Sequence, residues 1–478
     1  MSCHKDRFRR VLLCRRRGMG TIWGLAMMGV LLVVGALTVD GAMLYLSRGN
    51  LQAAADSAAL AGASGLTQSP EDVRARAIEF AEKNLGDDQL AVLTEDIEIG
   101  DWDADTWTFT PLLPSEEHTG DSVRVTAKLL RDRGNPLAMA FAQVFGEGES
   151  ELRASATAIY RPRDIVLVLD LSGSMSDDSE IRHMNRLGRE AIEANLRLMW
   201  QELGEPNYGR LVFDTVEINS GNDWWIEHVL GLDDVPYPHP RGSWDEYIDY
   251  VQGSNTLDHY GYEDHYGGLT LLNYWMEQRA GHDETPGLWM TSQQPLTAVK
   301  NAVDVFIDFL LEEATEDRVG LSVYTSASGD AQLEHGLTHD FEVIRQLSRQ
   351  RQAGHYHRMT NIGAGIRVGV EELIANGRPG TLKTIVVLTD GRANRPGSNS
   401  QASAYALDQA RYAEENGIPI AAISLGTAAQ TDLMREIADI TRGVHFNVPG
   451  GATVADYEEP LKDVFRHIAA ERPLRLVD

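Results

Sequence analysis

The chain has 478 residues, 43% of them hydrophobic, enough for two or three compact domains once a membrane segment is set aside. Its formal charge is −28, and the basic first 40 residues, with seven Lys or Arg against two acids, leave about −33 on the remainder. That balance repels phosphates, so no nucleic-acid partner is expected; it suits divalent cations or basic partners, although an acidic proteome produces the same bias.

Cys3 and Cys14, the only cysteines, precede the apolar segment, which leaves the large C-terminal part without a disulfide or a thiolate metal site. From Ile22 to Val39 the sequence IWGLAMMGVLLVVGALTV carries no charge, and residues 21–46 are predicted as one transmembrane helix. Lys5, Arg7, Arg9, Arg10, Arg15, Arg16 and Arg17 make residues 1–20 a basic cytoplasmic tail and place everything after Asp40 outside, either periplasmic or at the cell surface. A cleaved secretory signal fits less well, because the stretch exceeds the usual apolar region and no small-x-small site follows it. A prepilin-type cut after Gly18 or Gly20 meets Trp23 or Leu25 where such pilins carry glutamate.

Beyond the span, LQAAADSAALAGA continues with Leu51, Ala54, Ala55, Ala58, Ala59 and Gly62 at helical spacing, so the span extends as one long helix into a stalk over 47–84. Over roughly its first 66 residues the chain resembles the N-terminal region of TadE/TadG-like tight-adherence (Flp) pilus assembly proteins, on its basic start, single span, Asp40 and this Ala-rich stretch. Residues 85–162 read as a small α+β module. IEIGDWD, TWTFTP and SVRVTAKLL alternate as strands do, Asn135–Phe145 has an Asn cap and a Pro at its first position and is predicted helical, and ELRASATAIY is a returning strand. No catalytic constellation occurs there, and a spacer or assembly role is the expectation.

At Arg163 the pattern changes. IVLVL at 165–169 is a continuous apolar run, as expected for a strand buried on both faces of a parallel sheet, and it ends in Asp170-Leu171-Ser172-Gly173-Ser174. A carboxylate and two hydroxyls at alternate positions in a Gly-containing loop offer three hard oxygen ligands, suited to Mg²⁺, Mn²⁺ or Ca²⁺. TIVVLTD repeats the motif of a buried strand ending in a carboxylate, Asp390, and Thr360 heads a predicted helix over Thr360–Ile374. All three segments can converge on one crevice at the strand ends. Leu296, Val299, Val303, Phe306 and Leu310 mark a helix, RVGLSVYT a strand, Tyr405–Asn416 a helix capped by Gly417, and IPIAAISLG and VHFNVPG later strands. The fold class is α/β, a doubly wound, mainly parallel sheet over 163–478.

D-x-S-x-S, a threonine and an aspartate in this order resemble the metal-ion-dependent adhesion site of the von Willebrand factor type A (VWA) family, from Asp164 to about Ile468 apart from an insertion. The resemblance implies a divalent cation, most often Mg²⁺, held by Asp170, Ser172, Ser174, Thr360 and Asp390, with a position left for water or for a carboxylate of a protein ligand. Asp177, Asp178 and Glu180, just after the loop, read as a solvated helix start or as a strengthening of the local field. Arg182–Leu203 is predicted as one helix. The insertion, about 181–293, contains Trp200, Trp224, Trp225, Trp244, Trp275 and Trp289, six of the nine tryptophans, among tyrosines and acids. A structural subdomain is expected there, and an aromatic ligand surface or a carboxylate cation site is the alternative. His228, His239, His259 and His265 lack a zinc spacing.

No G-x-S-x-G elbow, H-E-x-x-H motif or phosphate loop occurs, so the serines read as ligands and the chain as a binding protein, not an enzyme. A metal-dependent hydrolase and a metal-free scaffold of an envelope or pilus assembly are the competing readings.

Overall fold

A computed structural model describes residues 17–66, 68–85, 91–103, 106–117, 120–146, 148–312, 316–324, 331–379, 381–450, 455–470 and 474–477. The basic residues from Lys5 to Arg16 and both cysteines lie outside the described residues. The chain forms two compact units, one of residues 1–161 with 473–478 and one of residues 162–472.

In the first unit a single helix, α1 (Arg17–Ala63), is followed by α2 (Pro70–Leu85). Strands β1 (Ile97–Asp103), β2 (Thr108–Pro111), β3 (Ser122–Leu129) and β6 (Leu152–Tyr160) form a wholly antiparallel sheet, and β15 (Leu474–Leu476) adds to its edge in the order β15-β6-β3-β1-β2. A two-residue ribbon, β4 (Leu137–Ala138) against β5 (Glu149–Ser150), projects from it. The small residues at helical spacing explain how α1 packs: Leu51, Ala55, Ala58, Ala59 and Ala63 meet Ala77 of α2 and Val123, Val125 and Ala156 of the sheet in one core. The segment expected as a stalk over 47–84 is therefore one wall of the α+β unit, not a separate element. Residues 474–476 also belong to this unit, so the α/β unit ends before them.

The helix predicted over Asn135–Phe145 is not formed. Its place is taken by β4 and a 3-10 turn over Ala142–Phe145. The carboxylate of Asp40 accepts hydrogen bonds from the amides of Ala140, Phe141 and Ala142, a tertiary partner that local helix signals do not reveal.

The second unit is the expected doubly wound sheet. Its strands are β7 (Arg163–Asp170), β10 (Arg318–Tyr324), β11 (Ala331–Thr338), β12 (Leu382–Thr389), β13 (Ile420–Leu425) and β14 (His445–Val448), in the order β11-β10-β7-β12-β13-β14. All pairs are parallel except β10 with β11. The apolar run of β7 is buried on both faces, as its sequence requires. Ile165, Leu167 and Leu169 face a core with α9 (Leu296–Glu312) and α14 (Glu458–Ala470), while Val166 and Val168 face α11 (Ile362–Asn376), α12 (Asn399–Glu415) and α13 (Thr431–Thr441). The direction of winding reverses at β7, and the crevice at the carboxyl ends of β7 and β12 is the switch point where such sheets take ligands. α10 (Phe341–Arg349) follows β11.

The insertion holds α3 (Met184–Leu187), α4 (Arg189–Glu202), α5 (Asp223–Leu230), α6 (Trp244–Gly253), α7 (Asn255–Tyr260) and α8 (Gly268–Gln278), with a two-residue ribbon of β8 (Val216–Glu217) and β9 (His265–Tyr266). The single helix expected over Arg182–Leu203 is broken at Gly188, whose φ of +89° ends α3 and turns the chain into α4. Trp200, Trp244, Tyr247, Tyr266 and Trp275 are buried in a core of the insertion's own, so these aromatics build a subdomain; Trp224 and Trp225 remain exposed on α5.

Asp164, at the amino end of β7, is buried and accepts from Arg318 Nη2 (2.8 Å), the Arg378 amide (2.7 Å) and Arg378 Nη2 (2.8 Å). Burial alone would raise its pKa, but the hydrogen bonds from Arg318 and Arg378 outweigh it and hold the group at about 2. A carboxylate depressed in the folded state contributes stability above its unfolded pKa near 3.8 and loses it as pH falls through about 2. Asp164→Asn is therefore expected to remove about 2 kcal/mol at pH 7. In urea melts at pH 7 and pH 2, the gap between wild type and variant should narrow at the lower pH; an equal gap at both would contradict the assignment.

Candidate metal centre

The loop after β7 carries the first three candidate ligands. Asp170 is fully buried at the end of the strand, where its Oδ1 accepts from the Ser172 amide (2.8 Å) and its Oδ2 from Thr389 Oγ1 (2.8 Å) and Tyr324 Oη (3.2 Å). Ser172 Oγ lies 3.0 Å from Ser174 Oγ, and Ser174 Oγ donates to Asp390 Oδ1 at 2.6 Å. Asp390 directly follows β12 and is buried, so two strand ends bring two carboxylates and two hydroxyls into one hydrogen-bonded chain.

Thr360 enters from the start of the α11 segment. Its amide donates to Asn394 Oδ1 (2.8 Å) and its carbonyl accepts from the amides of Asn394 and Arg395, which tie it to the loop after Asp390. Gly391 marks how closely these segments meet: a Cβ there would lie 3.1 Å from Ser174 Oγ and 3.8 Å from Thr360 Oγ1. Ser174, Thr360, Gly391 and Asn394 line a crevice of about 510 Å³, together with Arg358, Arg392, Asn399 and Ala428. All five residues singled out by the sequence thus converge on one place.

The electrostatics of that place are unbalanced. Burial raises the pKa of Asp170, and burial together with the facing Asp170 raises that of Asp390 well above the usual range. Neither carboxylate forms an ion pair with a Lys, Arg or His among the described residues. Two buried acids without a counter-cation cost free energy, and a divalent ion bound between them would remove that cost. The donor set fits a hard ion with few protein charges. Among the described residues no group of three or more His, Cys, Asp or Glu is placed to hold a metal, so an ion here would rely on hydroxyl, water and partner oxygens.

Two supporting residues escaped the sequence reading. Thr389 is the residue before Asp390, and Tyr324 ends β10 in register with Asp170; that shared level at the strand ends is the signal that could have found it. The acids at 177–180 are also placed differently from the solvated helix start expected of them. Asp178 is buried, bonded to Arg186 and to the hydroxyl of Tyr457, and Glu180 is buried between Ser176 Oγ (2.9 Å) and Arg182 Nε (3.0 Å). Burial pushes Glu180 up to about 7. The arginines that pair with them make these acids part of the loop's support, not its exposed field. Over them lies Arg358, whose carbonyl accepts from the Gly173 amide (3.1 Å) and whose guanidinium donates to the Met276 carbonyl (2.6 Å) of α8, so the insertion braces the loop.

Comparison with known proteins follows the same division. Residues 289–460 match the von Willebrand factor type A domain family, which takes in Thr360 and Asp390 and leaves β7 and its loop on the far side of the insertion. Residues 18–65 match the Flp pilus-assembly TadE/G-like family. No curated protein matches the chain. Similar solved structures include an aerotolerance-related membrane protein from Bacteroides fragilis NCTC 9343 (20% identity, 37% of this chain, 89% of that one, TM-score 0.29). A von Willebrand factor type A protein from Catenulispora acidiphila (12%, 66%, 45%, 0.32) and the pilus adhesin SpaC from Lactobacillus rhamnosus GG (12%, 73%, 35%, 0.32) are also similar, and this chain spans less than half of either. The chain thus joins a TadE/G-like N-terminal region to a unit with the fold of a von Willebrand factor type A domain.

Proposed function

We propose that this is a membrane-anchored, extracytoplasmic binding protein that holds a protein ligand through a divalent cation, in adhesion or in pilus and envelope assembly. The observation that carries the reading is the pair of buried carboxylates, Asp170 and Asp390, linked through the Ser172 and Ser174 segment beneath a crevice that Ser174 and Thr360 line, with no ion pair to either among the described residues. In this reading the two aspartates supply charge, Ser172, Ser174 and Thr360 supply neutral oxygens directly or through water, and a carboxylate of the ligand completes the shell. Mg²⁺ is the favoured ion, with Mn²⁺ and Ca²⁺ as alternatives of similar chemistry. The serine hydroxyls bond to each other and to Asp390, an arrangement suited to ligation more than to nucleophilic attack. Anchoring is supported by α1, which over Gly20–Ala63 is long and apolar enough to cross a membrane.

Calorimetric titration of Mg²⁺ and Mn²⁺ into the full chain in detergent, beside Asp170→Ala, tests the site. Saturable binding is expected in the wild type, with a loss in the variant beyond the roughly 10- to 100-fold typical of a merely supporting residue. A folded wild type that binds neither ion, alone or with an added carboxylate peptide, would remove the cation from the proposal and leave a metal-free scaffold.

A further inference from the structure

α1 exposes apolar side chains from Ile22 as far as Leu46, including Tyr45. That is about 25 residues or roughly 37 Å of helix, more than the ~30 Å of a hydrocarbon core. Asp40 lies inside this run, and its side chain is only 5% exposed. What covers it is the segment from β4 to the 3-10 turn at Ala142–Phe145, which touches α1. The Asp40 carboxylate accepts from the amides of Ala140 (3.0 Å), Phe141 (3.1 Å to either oxygen) and Ala142 (2.6 Å).

The covered face of α1 can be followed along the helix. Ala36, Asp40, Met43, Leu44 and Ser47 are buried or half-buried at helical spacing, whereas Leu37, Val39, Tyr45 and Leu46 are exposed. Cover therefore begins at Ala36, within the uncharged stretch that ends at Val39. The covering segment, LAMAFAQVF at 137–145, has no charged residue, and Phe141 is 43% exposed. Irregular backbone at membrane depth needs partners for its amides, and an isolated carboxylate there is costly; each supplies what the other lacks.

We propose that residues 137–145 are a second membrane contact, a short apolar turn that enters the lipid beside α1 with Asp40 holding its amides. The occupant of this surface is the acyl and headgroup boundary of the leaflet next to Asp40, because the turn is continuous with the lipid-facing side of α1. The inference rests on the reading of α1 as a membrane anchor. Phe141 and its neighbours then fix the height of the unit at the bilayer surface, as interfacial aromatic side chains do.

The test uses the full chain with Cys3→Ser and Cys14→Ser, reconstituted in phosphatidylcholine and phosphatidylglycerol vesicles. A fluorophore is attached at Phe141→Cys, at Met27→Cys on α1, or at Arg411→Cys on the exposed side of α12, and is quenched by lipid spin-labelled near the ester or by aqueous iodide. Position 141 is expected to be quenched by the lipid about two-fold or more above position 411, with the opposite order for iodide. Lipid quenching at 27 with iodide quenching at 141 equal to that at 411 would overturn the second contact and leave the anchor standing. Absence of lipid quenching at both 27 and 141 would overturn the anchor itself. Shielding of 141 from both quenchers would also overturn the proposal, since a protein surface such as a second copy of α1 would then occupy the turn. In an Asp40→Ala background the label at 141 is expected to move toward iodide while that at 27 stays; an unchanged depth at 141 would refute the role given to Asp40.

Discussion

Asp390→Asn is expected to raise the thermal midpoint of the metal-stripped protein and to abolish the rise that Mg²⁺ gives the wild type. The two effects have one cause. Asn keeps an oxygen able to accept from Ser174 Oγ, so the 2.6 Å hydrogen bond has a replacement, while the carboxyl whose ionisation burial and Asp170 oppose is gone. Removing an acid whose folded state opposes its ionisation is worth about 1–3 kcal/mol, or roughly 2–6 °C for a domain of this size. With metal at about 100 times its Kd the wild type gains about 2.7 kcal/mol, and a variant with one aspartate gains little. Wild type and variant should therefore exchange rank between EDTA and Mg²⁺ in a thermal melt. The same rank in both buffers would sink the idea that these carboxylates await a cation.

The second large effect lies at the opposite end of β7. Arg163 donates from its Nη2 (2.7 Å) and Nε (3.0 Å) to Asp317 and from its guanidinium to the carbonyls of Ile468 (2.8 Å) and Ala469 (2.9 Å), and its own amide donates to Asp317 (2.6 Å). One buried ion pair thus ties the start of β7, the approach to β10 and the end of α14. Asp317→Ala leaves the guanidinium buried without its counter-charge and is expected to cost about 3–5 kcal/mol. Urea denaturation should show a lower midpoint at an unchanged slope. Metal titration of the still-folded variant should match the wild type, because the pair is a strand's length from the site; a loss below 1 kcal/mol would mean that water replaces the carboxylate there.

Legibility of the chain follows from where the partners of each segment lie. β7 and β12 were readable because strands buried on both faces carry uninterrupted apolar runs, and α9 because its buried positions recur at helical spacing. That the five candidate residues lie near one another was readable because strand ends and helix starts of a doubly wound sheet meet at its switch point, while their grouping as a ligand set came from the resemblance to the VWA motif. Elsewhere the deciding partner is remote. Asn135–Phe145 has the local marks of a helix, yet Asp40, about a hundred residues earlier, takes its amides. Asp178 and Glu180 look solvated until Arg186, Arg182 and Tyr457 close on them. Residues 474–476 follow the last helix of the α/β unit, and only pairing with β6 assigns them to the other sheet.

The way the α/β unit is spliced into the antiparallel sheet determines how the molecule carries tension. β6 ends at Tyr160 and β15 begins at Leu474, and these residues are partners across the sheet. A pull on the spliced unit therefore enters the sheet through two adjacent strands at one end. β15 is three residues long and resists little. β6 is held far more firmly, by the run of pairs with β3 from Ser122 with Ile159 to Leu129 with Leu152 and by α1, which packs on both strands. Such a ladder yields as a whole instead of opening one rung at a time, which makes the β3–β6 pairing the strongest tie between the spliced ends and the sheet.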